Sequence, residues 1–368
     1  MKAKRIIISG GGTGGHIFPA IAIANALKKL DPNTEILFVG ALGRMEMEKV
    51  PAAGYKIIGL DIQGIQRKSI LKNIQFPIKL INSVRKALQI IKEFKPDAAV
   101  GVGGYASGPL LYAASIKGIP YLIQEQNSYA GITNKWLGGK AKEVCVAYDG
   151  MEKFFPKSKI IKTGNPIRKD SVDIAGKHMH ALELFKLDSD KKTILITGGS
   201  LGARTLNNSV FNGLEKIIAA DVQLIWQTGN TYYKGIIEKL GEDYHPNIRI
   251  MKFLNRMDLA YAAADVIISR AGAGTIGELC VVKRPVILVP SPNVAEDHQT
   301  KNALALLHDN AAVFMADRDA EEKLIDKALE LLKDKSKQKT LSENIGKLAL
   351  PNADEVIAKE VMKITINN

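Results

Sequence analysis

Four glycine-rich segments stand out as the residues most able to do chemistry. The first reads Ser9-Gly10-Gly11-Gly12-Thr13-Gly14-Gly15-His16, and the second Gly103-Gly104-Tyr105-Ala106-Ser107-Gly108-Pro109. The third is Gly198-Gly199-Ser200-Leu201-Gly202-Ala203-Arg204, and the fourth Ser269-Arg270-Ala271-Gly272-Ala273-Gly274-Thr275, just ahead of Glu278. Glycine lets backbone N–H groups approach an anion at a helix N-terminus, so turns of this composition suit phosphate and diphosphate ligands. Tight strand-to-helix turns of a parallel sheet explain one or two such segments; four point to a protein that holds more than one phosphate. Gly10, Gly12 and Gly15 also satisfy G-x-G-x-x-G. That dinucleotide fingerprint needs an acid after the second strand, and here the strand ends Phe38-Val39-Gly40-Ala41. A nicotinamide oxidoreductase is disfavoured on that ground.

The elements around these turns follow one rhythm. Apolar, β-branched runs read as strands at Arg5–Ser9, Glu35–Val39, Ala98–Val102 and Tyr121–Ile123, then at Thr193–Thr197, Gln223–Trp226, Val266–Ser269 and Val286–Val289. Helical patterns lie between them, among them Ala20–Leu30, Ala203–Ile218, Thr275–Val282 and Asp297–His308. Buried strands alternating with helices predict α/β architecture with parallel sheets covered on both faces. The pattern restarts at Lys191-Lys192, so two Rossmann-like halves in tandem are expected. Their seam falls near Gly164-Asn165-Pro166, dividing residues 1–165 from 166–350. A last amphipathic helix over 353–364 is expected to pack back on the first half.

Composition narrows the partners. The 368 residues have 46% hydrophobic and 24% charged side chains, an ordinary globular mixture of two-domain length. The net charge of +13 lies wholly in residues 1–165, which hold 24 basic and 11 acidic side chains; the remainder is neutral. One basic half suggests a domain that meets a polyanionic surface, a phosphate backbone or an anionic bilayer. Cys145 and Cys280 form no disulfide framework or metal spacing, which points to the reducing cytosol. The uncharged stretch 98–116 is interrupted by Gly103-Gly104 and Gly108-Pro109, so it reads as strand, loop and helix rather than a membrane span.

Taken together, the motifs resemble the MurG family of glycosyltransferases, family 28. The resemblance is carried by Gly11–Pro19 (GGTGGHIFP), Gly103–Pro109 (GGYASGP), Gln124–Leu137 (QEQNSYAGITNKWL), Gly164–Arg168 (GNPIR), Gly198–Arg204 (GGSLGAR) and Arg270–Glu278 (RAGAGTIGE), in the family's order and across essentially the whole chain. It implies a GT-B fold, two Rossmann-like domains facing a cleft. It also implies inverting transfer of N-acetylglucosamine from UDP-N-acetylglucosamine to the C4 hydroxyl of lipid-linked N-acetylmuramyl-pentapeptide, a step of peptidoglycan synthesis.

The resemblance carries over residue by residue. The second half is expected to hold the nucleotide-sugar, with Ser200 on a phosphate and the helix opening at Ala273, Gly274 and Thr275, with Ile276 and Gly277, beneath the diphosphate. Glu278 would take the ribose hydroxyls, Arg168 the diphosphate, the Leu254 backbone the uracil and Gln299 the sugar hydroxyls. The family often has a second glutamine just before that last position; this chain has His298. Thr13, Gly14, Gly15 and Asn127 would reach the sugar from the first half. The acceptor diphosphate is expected on Gly14, Gly104, Tyr105 and Ser107. The displacement needs a base at the acceptor hydroxyl and positive potential at the leaving diphosphate. His16 is the first candidate for the base, because imidazole titrates near neutral pH, and Glu125 is the second. Glu125 has an alternative reading as a buried acid paired across domains. No metal is demanded: Asp317-Arg318-Asp319 reads as a helix start rather than a metal-binding D-x-D, and no cofactor is required.

The segment Gly64–Phe94 mixes apolar and basic residues. Ile70, Ile74, Ile78, Ile81 and Val84 recur at helical spacing, flanked by Lys68, Lys72, Lys79, Arg85 and Lys86. Either a core-facing helix or a surface anchor has this pattern; the charge asymmetry favours an anchor on an anionic membrane, contributing roughly 1 kcal/mol per engaged basic residue. The expected location is therefore peripheral, on the cytoplasmic face of the bacterial plasma membrane, with no nucleic-acid partner. Competing readings are a UDP-N-acetylglucosamine epimerase of the same fold, another lipid-directed GT-B glycosyltransferase, and a membrane adaptor, which would have no use for four glycine loops.

Overall fold

The computed structural model describes residues 3–64 and 74–365. The chain divides into two compact units, Met1–Ile167 with Leu350–Asn368, and Arg168–Ala349. In the first, β1 (Arg5–Gly10), β2 (Glu35–Ala41), β3 (Lys56–Leu60), β4 (Ala98–Gly103), β5 (Tyr121–Glu125), β6 (Glu143–Val146) and β7 (Ile160–Lys162) form one parallel sheet in the order β3-β2-β1-β4-β5-β6-β7. Its helices are α1 (Gly14–Leu30), α2 (Glu46–Ala52), α3 (Phe76–Phe94), α4 (Ser107–Ile116) and α5 (Ile132–Gly138).

The second unit repeats the plan. Strands β8 (Thr193–Thr197), β9 (Gln223–Gln227), β10 (Ile248–Met251), β11 (Val266–Ser269), β12 (Val286–Leu288) and β13 (Val313–Phe314) are parallel in the order β10-β9-β8-β11-β12-β13. Around them lie α6 (Lys169–Val172), α7 (His178–Phe185), α8 (Arg204–Ala219), α9 (Tyr233–Leu240), α10 (Met257–Ala263), α11 (Ala273–Val282), α12 (His298–His308), α13 (Asp317–Lys333) and α14 (Lys335–Lys347). The last helix, α15 (Ala353–Ile364), belongs to the first unit.

Strand residues alternate between two cores, as period-two geometry requires. Ile6 and Ile8 enter a cluster with Ile17, Ile23 and Leu27 of α1 and with Ile357, Ala358 and Val361 of α15. Ile7 enters the opposite cluster, with Ala87, Ile90 and Ile91 of α3 and Leu110 and Leu111 of α4. Both faces are buried, which is why these strands read as continuous apolar runs. In the second unit Ile194 and Ile196 pack against Leu206, Val210 and Leu214 of α8 and Leu324, Ile325 and Ala328 of α13. The α8–α13 approach is close: a Cβ at Gly213 would lie 2.5 Å from Ile325.

The sheet orders place all four glycine segments. The strand order reverses beside the first strand of each sheet, between β1 and β4 in one unit and between β8 and β11 in the other. Ligands of open α/β sheets sit at the carboxyl ends of strands at such switch points. The first two glycine segments follow β1 and β4, and the last two follow β8 and β11. They meet in pairs.

One boundary and five strands differ from expectation in ways that matter. Helix α1 begins at Gly14, not Ala20, because Pro19 is accommodated in its second turn, where the missing N–H leaves only the Gly15 carbonyl without a helical donor. His16 is thereby a first-turn helix residue. Strands β3, β6, β7, β10 and β13, each 2–5 residues long, were too short to stand out by composition.

Candidate active site

In the first unit the two glycine segments press backbone against backbone. Gly11 N–H donates to Gly103 O at 3.2 Å. A Cβ on Gly104, whose φ is +93°, would lie 2.3 Å from Gly11 O, so no side chain fits there. A Cβ on Gly103 would lie 2.7 Å from Cδ2 and 2.8 Å from Nε2 of His16. The second segment is therefore glycine because it forms the floor beneath the imidazole. His16 Nδ1 lies 3.0 Å from the Gly11 carbonyl oxygen. A carbonyl only accepts, so that bond puts the proton on Nδ1 and leaves the basic lone pair on Nε2. Thr13 caps α1 through its backbone, accepting from His16 and Ile17 N–H at 3.1 and 3.2 Å. Gly14 and Gly15 follow in the first turn, and their amides lie at the positive end of the helix dipole.

The other residues expected here divide into surface and buried groups. Tyr105 is 46% exposed, with the Arg44 guanidinium 5.9 Å from its ring centroid. Ser107 is fully buried, and a Cβ on Gly101 would lie 2.8 Å from its Oγ. Its hydroxyl is enclosed at the start of α4 and has no hydrogen-bond partner among the described residues.

Glu125 is also not placed as a base. It is 2% exposed, and both oxygens are committed. Oε1 accepts from Asn127 N–H at 3.0 Å, and Oε2 from Gly131 N–H at 3.0 Å and from Asn134 Nδ2 at 2.9 Å. It holds the turn that leads into α5 through these partners. A base needs an exposed lone pair within reach of a proton, and this carboxylate spends its lone pairs on the chain. Asn127 is positioned by it, at the half-buried rim of the turn. The flanking glutamines are structural: Gln126 Nε2 donates to Val102 O at 2.6 Å, and Gln124 Nε2 to Asn165 Oδ1 at 3.0 Å.

In the second unit, α11 starts after Gly272 with Ala273, Gly274 and Thr275 in its first turn. A Cβ on Gly274 would meet nothing within 4 Å, so the space over this helix end is open. Ile276 is different. Its amide donates to Gly272 O at 2.9 Å and its side chain is buried, so Ile276 and the following Gly277 belong to the helix ladder and offer no amide to a ligand. One turn further, Glu278 has 12% of its side chain exposed. Its Oε1 lies 3.4 Å from Arg168 Nε, and its Oε2 accepts from the Tyr261 hydroxyl at 3.1 Å. Burial pushes the Glu278 carboxyl above the ordinary carboxylate range, and Arg168 and Tyr261 oppose that shift. Arg168, half exposed, is the first residue of this unit and caps α6.

Around this pair the third segment is braced by its neighbour. A Cβ on Gly202 would lie 2.0 Å from Thr228 O, and the Ser200 carbonyl accepts from Asn230 N–H at 3.0 Å. Asn207 of α8 ties the arrangement down, donating to Thr228 O and accepting from Trp226 Nε1, each at 2.9 Å. The Ser200 side chain is exposed beside them. Leu254 is buried next to the half-exposed Phe253. Gln299 uses its carboxamide oxygen to accept from Ser291 N–H at 2.9 Å, which leaves its amide nitrogen as the donor end. Asp317 accepts from Arg270 and from Thr205 Oγ1 and begins α13, so it serves the helix start and the fourth segment. Among the described residues no group of three or more His, Cys, Asp or Glu could hold a metal ion.

Family models match both units. Residues 6–146 match the glycosyltransferase family 28 N-terminal domain, and residues 193–357 the family 28 C-terminal domain. A curated relative from Parabacteroides distasonis, named UDP-N-acetylglucosamine--N-acetylmuramyl-(pentapeptide) pyrophosphoryl-undecaprenol N-acetylglucosamine transferase, is 57% identical over 364 residues, covering 99% of both chains. The chain belongs to glycosyltransferase family 28. A relative of the same name from Bacteroides thetaiotaomicron is 59% identical over 99% of this chain and 98% of its own. Among solved structures, MurG of Acinetobacter baumannii superimposes with a TM-score of 0.79 at 29% identity, over 98% of this family 28 chain and 99% of that one.

Sequence reasoning missed four residues of these sites: Glu46, Asn134, Arg270 and Tyr261. Each acts through a partner more than five residues away, and only the family motif around Asn134 and Arg270 hinted at them. The apolar stripe that leads into α3 and runs along it lies on the exposed side. Ile74, Ile78 and Ile81 are 66%, 63% and 53% exposed, while Ser83, Ala87, Ile90 and Ile91 face the core. Val84 is half-buried and Arg85 exposed. Lys79 is paired with Asp61 at 2.9 Å, which removes it from the freely available cations; Lys68, Ile70 and Lys72 lie outside the described residues. Among the described residues no helix is long and apolar enough to cross a membrane.

Proposed function

We propose that this chain transfers N-acetylglucosamine from UDP-N-acetylglucosamine to the C4 hydroxyl of undecaprenyl-diphosphate-linked N-acetylmuramyl-pentapeptide, inverting the α-linked donor to a β-1,4 product. The observation that carries the reading is the Arg168–Glu278–Tyr261 cluster beside the open helix end at Gly274, in a chain 57–59% identical to transferases of that name over nearly its whole length. Glu278 takes the ribose hydroxyls, the amides of Ala273, Gly274 and Thr275 with Ser200 take phosphate oxygens, the Leu254 backbone meets the uracil, and the Gln299 amide donates to the sugar. Thr13, Gly15 and Asn127 complete the sugar contacts from the first unit.

The acceptor diphosphate rests on the amides of Gly14 and Gly104 with Tyr105 beside it. As the acceptor oxygen bonds to the anomeric carbon, its proton passes to His16 Nε2 and the bond to UDP breaks. The Nδ1–H···O=C contact with Gly11 is kept when the ring becomes cationic, so the imidazolium is stabilised in place. Arg168 and the α11 dipole stabilise the leaving diphosphate without a metal or cofactor. The exposed isoleucines of α3, within the basic first unit, rest on the anionic cytoplasmic surface that carries the lipid acceptor.

Incubation with radiolabelled UDP-N-acetylglucosamine and the lipid-linked muramyl-pentapeptide tests the assignment. Label moves into the lipid phase if it is right. Turnover of the nucleotide-sugar without acceptor would instead identify an epimerase. His16→Ala is expected to lower turnover by about 10²–10⁴-fold with little effect on donor binding.

A further inference from the structure

Beneath the first glycine segment lies a carboxylate that the reaction scheme above does not use. Glu46, the first residue of α2, is 1% exposed. Its Oε2 accepts from Gly12 N–H at 2.9 Å and its Oε1 from Ala41 N–H at 3.0 Å. Its side chain passes between two glycines that leave room for it: a Cβ on Gly11 would lie 2.2 Å from Oε1, and one on Gly40 2.6 Å from Cγ. Both oxygens accept, and the carboxylate is enclosed beneath the turn.

The decisive detail is which peptide Glu46 grips. The N–H of Gly12 and the C=O of Gly11 belong to one planar peptide unit. That same C=O accepts the hydrogen of His16 Nδ1. The chain of contacts thus runs from carboxylate to N–H, through the amide, from C=O to imidazole. Hydrogen bonds in series polarise one another, so a carboxylate pulling on the amide proton makes the carbonyl oxygen a stronger acceptor.

Resting on the assignment of His16 as base, we propose that Glu46 is a positioning residue that acts on His16 through the Gly11–Gly12 peptide. It fixes the ring orientation and tautomer and favours the cationic form that arises as the acceptor hydroxyl loses its proton. It does the work that a directly bonded carboxylate does for many catalytic and metal-binding histidines, at one peptide's remove. Among the described residues, the charged or titratable groups near this turn include Tyr105 from the second segment and Arg44, which lies over the Tyr105 ring. Both are left unchanged in the test.

The experiment is a ¹⁵N-histidine NMR titration of the full chain and of Glu46→Gln, assigned with His16→Ala, alongside the pH dependence of kcat/KM. Glu46→Gln keeps the shape and loses the charge. The expected result is a His16 midpoint lower by about half a unit or more, an acidic limb of the rate profile displaced to lower pH by the same amount, and kcat reduced about tenfold or more with donor KM within twofold. Glu46→Asp, which keeps the charge but shortens the reach, serves if the glutamine variant does not fold, and should move the midpoint in the same direction by less. An unchanged His16 midpoint in a folded variant overturns the proposal. A displaced midpoint with an unmoved rate profile upholds the coupling and removes His16 as the base instead.

Discussion

Gly103 and His16 are packed as floor and ring: the nearest imidazole atom lies 2.7 Å from where a Cβ of residue 103 would stand, at a φ of +104°. An alanine there would have to push the ring off its Gly11 contact and would also carry the strain of a backbone region that side chains rarely adopt, about 1–3 kcal/mol. Gly103→Ala should therefore lower kcat by tenfold or more and lower the melting temperature, while donor KM stays within twofold. Steady-state kinetics and a thermal melt check it; unchanged kcat would mean that the ring orientation is not important for turnover.

With Glu278 proposed on the ribose hydroxyls, donor binding is expected to be sensitive to acid. Burial raises its pKa, and Arg168 and Tyr261 pull it back down. Only the ionised form accepts from two ribose hydroxyls, so donor KM should rise as pH falls through that raised value. Tyr261→Phe removes one of the two stabilising partners, so the rise should begin at a higher pH. The effect should shrink with a 2′-deoxyuridine donor, which lacks one of the hydroxyls that Glu278 takes. Equal shifts for both donors would argue that Tyr261 acts on the fold rather than on the ribose site.

Ile74, just before α3, and Ile78 and Ile81 on it are mostly exposed, so removing them should cost the fold little. Replacing Ile74, Ile78 and Ile81 by serine should leave the melting temperature and turnover of a water-soluble acceptor analogue unchanged. Association with anionic phospholipid vesicles should fall by about tenfold or more, because each immersed side chain adds up to ~1.5–3 kcal/mol. Vesicle co-sedimentation measures this. Full retention on the vesicles would place the membrane contact elsewhere.

The fully buried Ile357 tests how far the first unit depends on its last helix. Ile357→Ala should destabilise that unit by about 2–5 kcal/mol, read as a lower denaturation midpoint at constant slope. A cost below 1 kcal/mol would show that α15 is dispensable for the core.

Much of this was legible before any coordinates, because the relevant signals are local. Glycine segments announce tight strand-to-helix turns, and Ile6–Ile8 and Val266–Ser269 announce strands buried on both faces. Pairing was harder to read. Glu46 meets Gly12 across 34 residues of sequence, and only the neighbouring of β1 and β2 brings them together. Glu125 looked catalytic by residue type, whereas its role is decided by four donors that converge on it in space. The α3 stripe shows the limit of periodicity: large apolar residues marked the solvent side, and the core side was built partly from Ser83 and Ala87. Two exposed isoleucines on a mostly polar face, Ile78 and Ile81, are what a count of apolar residues along the helix misplaces.

The return of α15 to the first unit has a consequence for synthesis. A ribosome delivers β1 and α1 early, yet Ile357, Ala358 and Val361, which cover them, emerge only after the whole second unit has been made. The nascent amino-terminal half must therefore wait with an apolar flank uncovered, while the second unit can complete its own fold first. Vectorial translation thus reverses the order of maturation: the half that is made first is finished last.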